Sequence, residues 1–119
     1  MVLADTSIWV RHLRLGDLDL MHLLRAEKVL THPFVLTELG TRRLDRGDEI
    51  LRLLRTLPGA VVADTHEVDR MIEDRELAGL GLGLVDVHLL ASALLSDARL
   101  WSSDRRLREV AAELELGID

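Results

Sequence analysis

The chain has 119 residues, 48% of them apolar and 30% charged, a composition that supports one folded domain with a real core and excludes a disordered chain. Its net charge of −6 denies it the general basic coat of a passive nucleic-acid binder, and 3% aromatics leave no platform for stacking single-stranded bases. Cysteine is absent, so disulfide frameworks and thiolate metal sites are excluded.

Met1–Ala4 reads as a short buried strand. A helix is expected over Ser7–Leu15, capped by Asp5 or Thr6, and a second over Asp17–Ala26. Val29–Thr31 reads as a strand, after which Pro33 suits the first position of a helix reaching Arg43. Asp48–Leu57 is expected to be helical up to the Pro58-Gly59 turn, Ala60–Ala63 to be a strand, and Thr65–Ala78 a helix. The glycine-rich run Gly79–Gly83 is a loop before an apolar helix over Val85–Leu95. A strand at Arg99–Ser102, a helix at Asp104–Leu114 and a last short strand at Leu116–Ile118 complete the chain. Short apolar strands alternating with helices predict an α/β fold over residues 1–119, a short parallel sheet covered by helices on both faces. The N-terminus meets a charge at Asp5 without a basic flank, unlike a secretory signal, and Leu80–Leu95 is too short and too interrupted to span a bilayer. A cytoplasmic location is the expectation.

Chemistry in open parallel sheets gathers at the carboxyl ends of the strands. Asp5 follows the first expected strand and Asp104 follows Arg99–Ser102. Glu38 and Asp86 lie among apolar neighbours, where a carboxylate is costly unless paired, protonated or bound to a metal. Each also has a plain structural reading. Asp5, Asp86 and Asp104 suit helix caps, and Glu38 suits an i,i+4 pair with Arg42.

Taken together, the four acids carry a resemblance. Asp5-Thr6-Ser7-Ile8-Trp9 resembles the opening of PIN domains, in particular the VapC toxins of toxin–antitoxin pairs. Thr37-Glu38-Leu39-Gly40 resembles the family's second acidic motif and Val85-Asp86-Val87-His88-Leu89-Leu90-Ala91-Ser92-Ala93 its third. Leu100-Trp101-Ser102-Ser103-Asp104-Arg105-Arg106-Leu107 resembles the last, with a serine two residues before the acid. The motifs stand in order over nearly the whole chain. The resemblance implies a PIN-like three-layer sandwich and an endoribonuclease that uses Mg²⁺ or Mn²⁺. Asp5 and Asp86 would be the principal metal ligands. Asp104 would be a third ligand or orient a metal-bound water, and Glu38 would hold a second metal or a water. Ser7 and Ser102 would support the ligands by hydrogen bonds. The implied partners are an RNA substrate, a small VapB-type antitoxin and a second copy in a homodimer. A non-catalytic PIN-like module that binds RNA or protein is the alternative, disfavoured by four intact acids.

The donor types agree with that chemistry, since hard divalent cations take oxygen ligands. Arg11, Arg14, Arg42, Arg43, Arg46, Arg105 and Arg106 follow the acidic motifs and are candidates for gripping RNA phosphates, Arg42 foremost. Gly79-x-Gly81-x-Gly83 is not a dinucleotide fingerprint, and no P-loop or His-x-x-x-His pair occurs. A receiver domain would need an acidic pair after the first strand and a late lysine, whereas Asp5 stands single and Lys28 is early. His88 lies about 200° from Asp86 on a helix, which suits packing rather than shared ligation. Trp9 and Trp101 suit the core.

Overall fold

A computed structural model of the chain describes residues 1–118; Asp119, the last residue of the expected domain, lies outside the described residues. Strand β1 (Val2–Ala4) is followed by α1 (Thr6–Leu15), α2 (Leu18–Arg25), β2 (Val29–Leu30), α3 (Pro33–Gly40) and α4 (Gly47–Thr56). Then come α5 (Thr65–Asp74), α6 (Leu84–Leu95), β3 (Arg99–Trp101) and α7 (Arg105–Glu113). The three strands form a parallel sheet in the order β2-β1-β3, with Val2 opposite both Val29 and Arg99. The chain leaves β1 for one neighbour and returns past it to the other. With right-handed crossovers, that reversal puts connecting helices on both faces and a switch point at the carboxyl end of β1. Asp5 stands there.

The strands are short and almost fully apolar because both faces are covered. Leu3, Ile8, Trp9, Leu20, Leu54, Leu89, Leu90 and Leu107 are completely buried and tie the sheet to α1, α2, α4, α6 and α7. Helix α6 packs on β1 and β3, with α5 outside it, and α3 lies against α1 and α4. No helix among the described residues is long and apolar enough to cross a membrane.

Two expected strands do not form. Leu116–Ile118 shrinks to a single bridge between Gly117 and Leu100, and Ala60–Ala63 is not a strand, the bridge beside it pairing the preceding Gly59 with Thr31. The Ala60–Ala63 segment does not extend that bridge because two of its amides go elsewhere: Val61 N donates to Ser96 Oγ (2.8 Å) and Ala63 N to Ser92 Oγ (3.3 Å). Hydroxyls of α6 thus stand where a neighbouring strand would be. Two helices stop earlier than expected, α3 at Gly40 and α5 at Asp74.

Four helices end on a non-glycine residue in the left-handed region: Glu27, Glu76, Asp97 and Glu115, with φ between 51° and 61°. In each case the next amide reaches back to close the last turn, as Leu77 N does to Ile72 O (3.0 Å). A Cβ is unfavourable there. Glu76→Gly is therefore expected to stabilise the protein by about 0.5–1 kcal/mol, raising Tm by roughly 3–5 °C. A thermal melt checks this; an unchanged or lower Tm would contradict it.

Candidate active site

Asp5 is only 8% exposed. It ends β1 and caps α1, its Oδ1 accepting from Ile8 N (3.4 Å) and from the Ser7 hydroxyl. Burial raises its pKa above the usual 3.8, although the hydroxyls of Ser102 and Ser7 and the amides of Ile8 and Ser7 favour the charged form. No basic side chain pairs with it among the described residues; the ion pairs there are Arg11–Asp17, Arg46–Glu49 and Arg105–Glu109. A buried carboxylate without a cationic partner is the costly arrangement that a metal ion relieves.

Hydrogen bonds through Ser7 and Ser102 link Asp5 to the backbone of Asp104. Ser7 Oγ lies 3.5 Å from Ser102 Oγ and accepts from Ser103 N (3.0 Å). Ser102, buried at the end of β3, accepts from Asp104 N (2.9 Å). The Asp104 carboxylate caps α7, with Leu107 N donating to its Oδ1 (3.0 Å). On the other side, Thr6 Oγ1 donates to Glu38 Oε1 (2.6 Å). Asp5 is thus linked to the Asp104 backbone through Ser7 and Ser102, while Glu38 is held by Thr6, the residue after Asp5 in the chain.

Asp86 stands outside this network. It lies in the first turn of α6, where Gly83 rather than Asp86 is the N-cap, and its Oδ2 accepts from Gly83 N (2.9 Å). This is the back-reaching half of a capping box. The glycine loop before it turns through left-handed residues at Gly79 and Gly81, with Arg106 donating to Leu80 O (2.7 Å) across it. Among the described residues no three His, Asp or Glu side chains form a group that could hold a metal ion. The reason is local: Asp86 and Asp104 are turned onto amides of their own helix starts, and Glu38 onto Thr6. The donor set is all oxygen, and Asp5 is buried without a countercharge, so the residues fit a hard divalent cation.

The structural readings from sequence hold for Asp5 and Asp104, which are helix caps, while Glu38 pairs with Thr6 and makes no ion pair with Arg42 among the described residues. Trp9 is buried, whereas Trp101 is half-buried beneath Arg11, whose guanidinium carbon lies 5.7 Å from the ring centroid. His88 packs on Phe34, with ring centroids 4.8 Å apart.

Sequence reasoning offers Thr6 only as an alternative helix cap and assigns no role to His32. Thr6 sits inside the first motif, and that placement is the only signal for it. His32 is completely buried: its Nδ1 accepts from Phe34 N (3.0 Å), capping α3, and its Nε2 lies 2.9 Å from Ser92 Oγ on α6. It clamps the helix bearing Glu38 to the helix bearing Asp86. Nothing in the His32-Pro33 dipeptide announces this.

Comparison with known proteins agrees with the geometry. Residues 2–113 match the PIN domain family. Ribonuclease VapC32 of Mycobacterium tuberculosis, in strains CDC 1551 / Oshkosh and ATCC 25618 / H37Rv, is 43% identical over 114 residues, covering 95% of this chain and 92% of the relative. A buried aspartate at the switch point of a parallel sheet, serine hydroxyls that link it to the Asp104 backbone, Glu38 held by the adjoining Thr6, and this match over nearly the whole length lead to one assignment: the chain belongs to the PIN domain family and resembles its VapC members.

Proposed function

We propose that this protein is a VapC-type toxin, one nuclease domain that hydrolyses RNA phosphodiester bonds with Mg²⁺ or Mn²⁺ and is restrained in the cytoplasm by a small VapB-type antitoxin. The observation that carries this reading is Asp5, buried at the switch point without a countercharge and held by Ser7. When bound, the cation supplies charge neutralisation at the attacked phosphate and a more acidic water. Asp5 and Asp86 are assigned as its principal ligands, Asp104 as a third ligand or a water-orienting group, and Glu38 as the residue holding a water or second cation.

The chain's own groups would do the rest. Ser7 fixes the Asp5 carboxylate by donating to Oδ1, and Ile8 N holds the same oxygen. Ser102 holds the start of α7 through Asp104 N. Thr6 holds the Glu38 carboxylate directly. Asp86 and Asp104 would exchange a capping hydrogen bond for the cation, a cost of about 1 kcal/mol each that cation binding offsets. Arg42, exposed and in no ion pair among the described residues, is assigned to substrate phosphate. Self-association is assigned to the apolar side chains Val61, Val62, Leu94 and Leu95, exposed around the carboxyl end of α6.

The test is expression of the chain alone and together with the product of the adjacent small gene. Alone it is expected to arrest growth and to cut RNA in Mg²⁺ or Mn²⁺ and not with chelator. Together the two should form a stable complex with suppressed cleavage. A chain that is harmless and leaves RNA intact with either metal would favour the non-catalytic binding module.

A further inference from the structure

We propose that the cleft lined by Arg11, Arg14 and Arg42 is a binding subsite for the RNA phosphates next to the one being cut, an inference that rests on the ribonuclease reading and deepens it. The cleft is about 400 Å³ and is lined by Ser7, Val10, Arg11, Arg14, Leu15, Arg42 and Ser103. It has three guanidiniums and no carboxylate on its wall, in a chain whose net charge is −6. Ser7, Val10, Arg11 and Arg14 follow the i, i+3, i+4, i+7 spacing and make one stripe of α1, with Arg42 contributed from just beyond α3.

Six of the seven arginines named by the sequence motifs are sorted by the structure; Arg43 is exposed, in no ion pair among the described residues and outside the cleft. Arg46 and Arg105 are spent on Glu49 and Glu109, and Arg106 on Leu80 O. Arg11 is held by Asp17 (2.7 Å) over the Trp101 ring, so its charge is already partnered and Arg14 and Arg42 carry the cleft's free positive charge. Arg14 and Arg42 have no acidic partner among the described residues. Arg14 lies in the last turn of α1 and complements the helix dipole, but that accounts for neither Arg42 nor the absence of acids between them. Two like charges, those of Arg14 and Arg42, that line one cleft without counterions among the described residues favour an anion between them, and arginine forks suit phosphate oxygens.

Ser7 connects the cleft to the reaction site. Its hydroxyl donates to Asp5 and accepts from Ser103 N, and both serines line the cleft. A strand with its scissile phosphate at Asp5 therefore lays its neighbouring phosphates along the arginine stripe.

The test measures binding of a fluorescein-labelled single-stranded RNA of mixed sequence, with chelator and in an Asp5→Asn background so that the strand stays whole, across a range of KCl. Arg14→Gln and Arg42→Gln should each weaken binding roughly fivefold at low salt and make the slope of log K against log salt shallower by about 0.7. The double variant should lose about twice that slope. Arg25→Gln, an exposed arginine outside the cleft, should leave the slope unchanged. With Asp5 intact and Mg²⁺ present, the two cleft variants should raise KM and leave kcat in place. Slopes equal to that of Asp5→Asn alone would overturn the proposal. Loss of antitoxin binding with an unchanged RNA slope would also overturn it and assign the cleft to an acidic protein segment. If the unmodified protein binds RNA through Arg14 and Arg42 but never cuts it, the nuclease reading falls and the subsite stands.

Discussion

Asp5→Asn is expected to lower RNA cleavage roughly a thousandfold or more, the scale of about 4 kcal/mol of lost transition-state stabilisation, while leaving the fold intact. Asparagine caps a helix about as well as aspartate, so the bond from Ile8 N keeps an acceptor. The same substitution should not destabilise the metal-free protein. Burial raises the Asp5 pKa in the fold, so the native state holds a proton more readily than the unfolded chain. Its contribution therefore favours the fold at low pH and is lost as pH rises through the raised value. At neutral pH the carboxylate is a cost that asparagine avoids. With chelator, Asp5→Asn should melt at or above the temperature of the unmodified protein. Metal at a hundred times its dissociation constant should stabilise the unmodified protein by about 2.7 kcal/mol and the variant far less. Thermal melts with chelator and with Mg²⁺, beside an RNA cleavage assay, measure both. Near-normal cleavage, or equal metal shifts in the two proteins, would remove Asp5 from the site.

His32 should dominate the acid side of the stability profile. Burial, with His88 nearby, lowers its pKa from 6.5 to about 4. The unfolded chain then binds a proton that the native state refuses, so His32's contribution is complete above pH 6.5 and is lost as pH falls toward 4. At about 1.4 kcal/mol per unit the loss is on the order of 3 kcal/mol, a large share of a typical domain's stability. His32→Asn keeps a side-chain cap for α3 without a titrating group, so its denaturation midpoint should fall less between pH 6.5 and 4. His32→Ala loses both bonds and leaves Ser92 without its buried ring partner, and should cost about 2–4 kcal/mol at pH 7. Ser92→Ala gives a milder probe of the same clamp. Parallel pH profiles for His32→Asn and the unmodified protein would mean that the ring titrates normally.

The order of strands and helices was legible in the sequence because it rests on local signals: apolar runs too short for helices, Pro33 at a helix start, and Asp5 and Asp104 as caps. The four acids were legible for a related reason. Asp5, Asp86 and Asp104 sit at a strand end or helix start, Glu38 lies in the second turn of α3, and the PIN pattern ties an acid to each of these positions. What remained hidden depends on residues far apart in the chain. The fate of Ala60–Ala63 was decided by Ser92 and Ser96, roughly thirty residues on, whose hydroxyls took amides that a strand would have paired. Glu38 turned to Thr6 rather than to Arg42, because α3 packs beside α1. The arginines looked alike in sequence, and only packing separated those spent on carboxylates from those that open onto the cleft beside Ser7. The sequence by itself determined which groups are present and how α1 and α7 begin. Tertiary structure decided which of them meet, because a hydrogen bond between elements forms only where packing of the apolar faces brings donor and acceptor within about 3 Å.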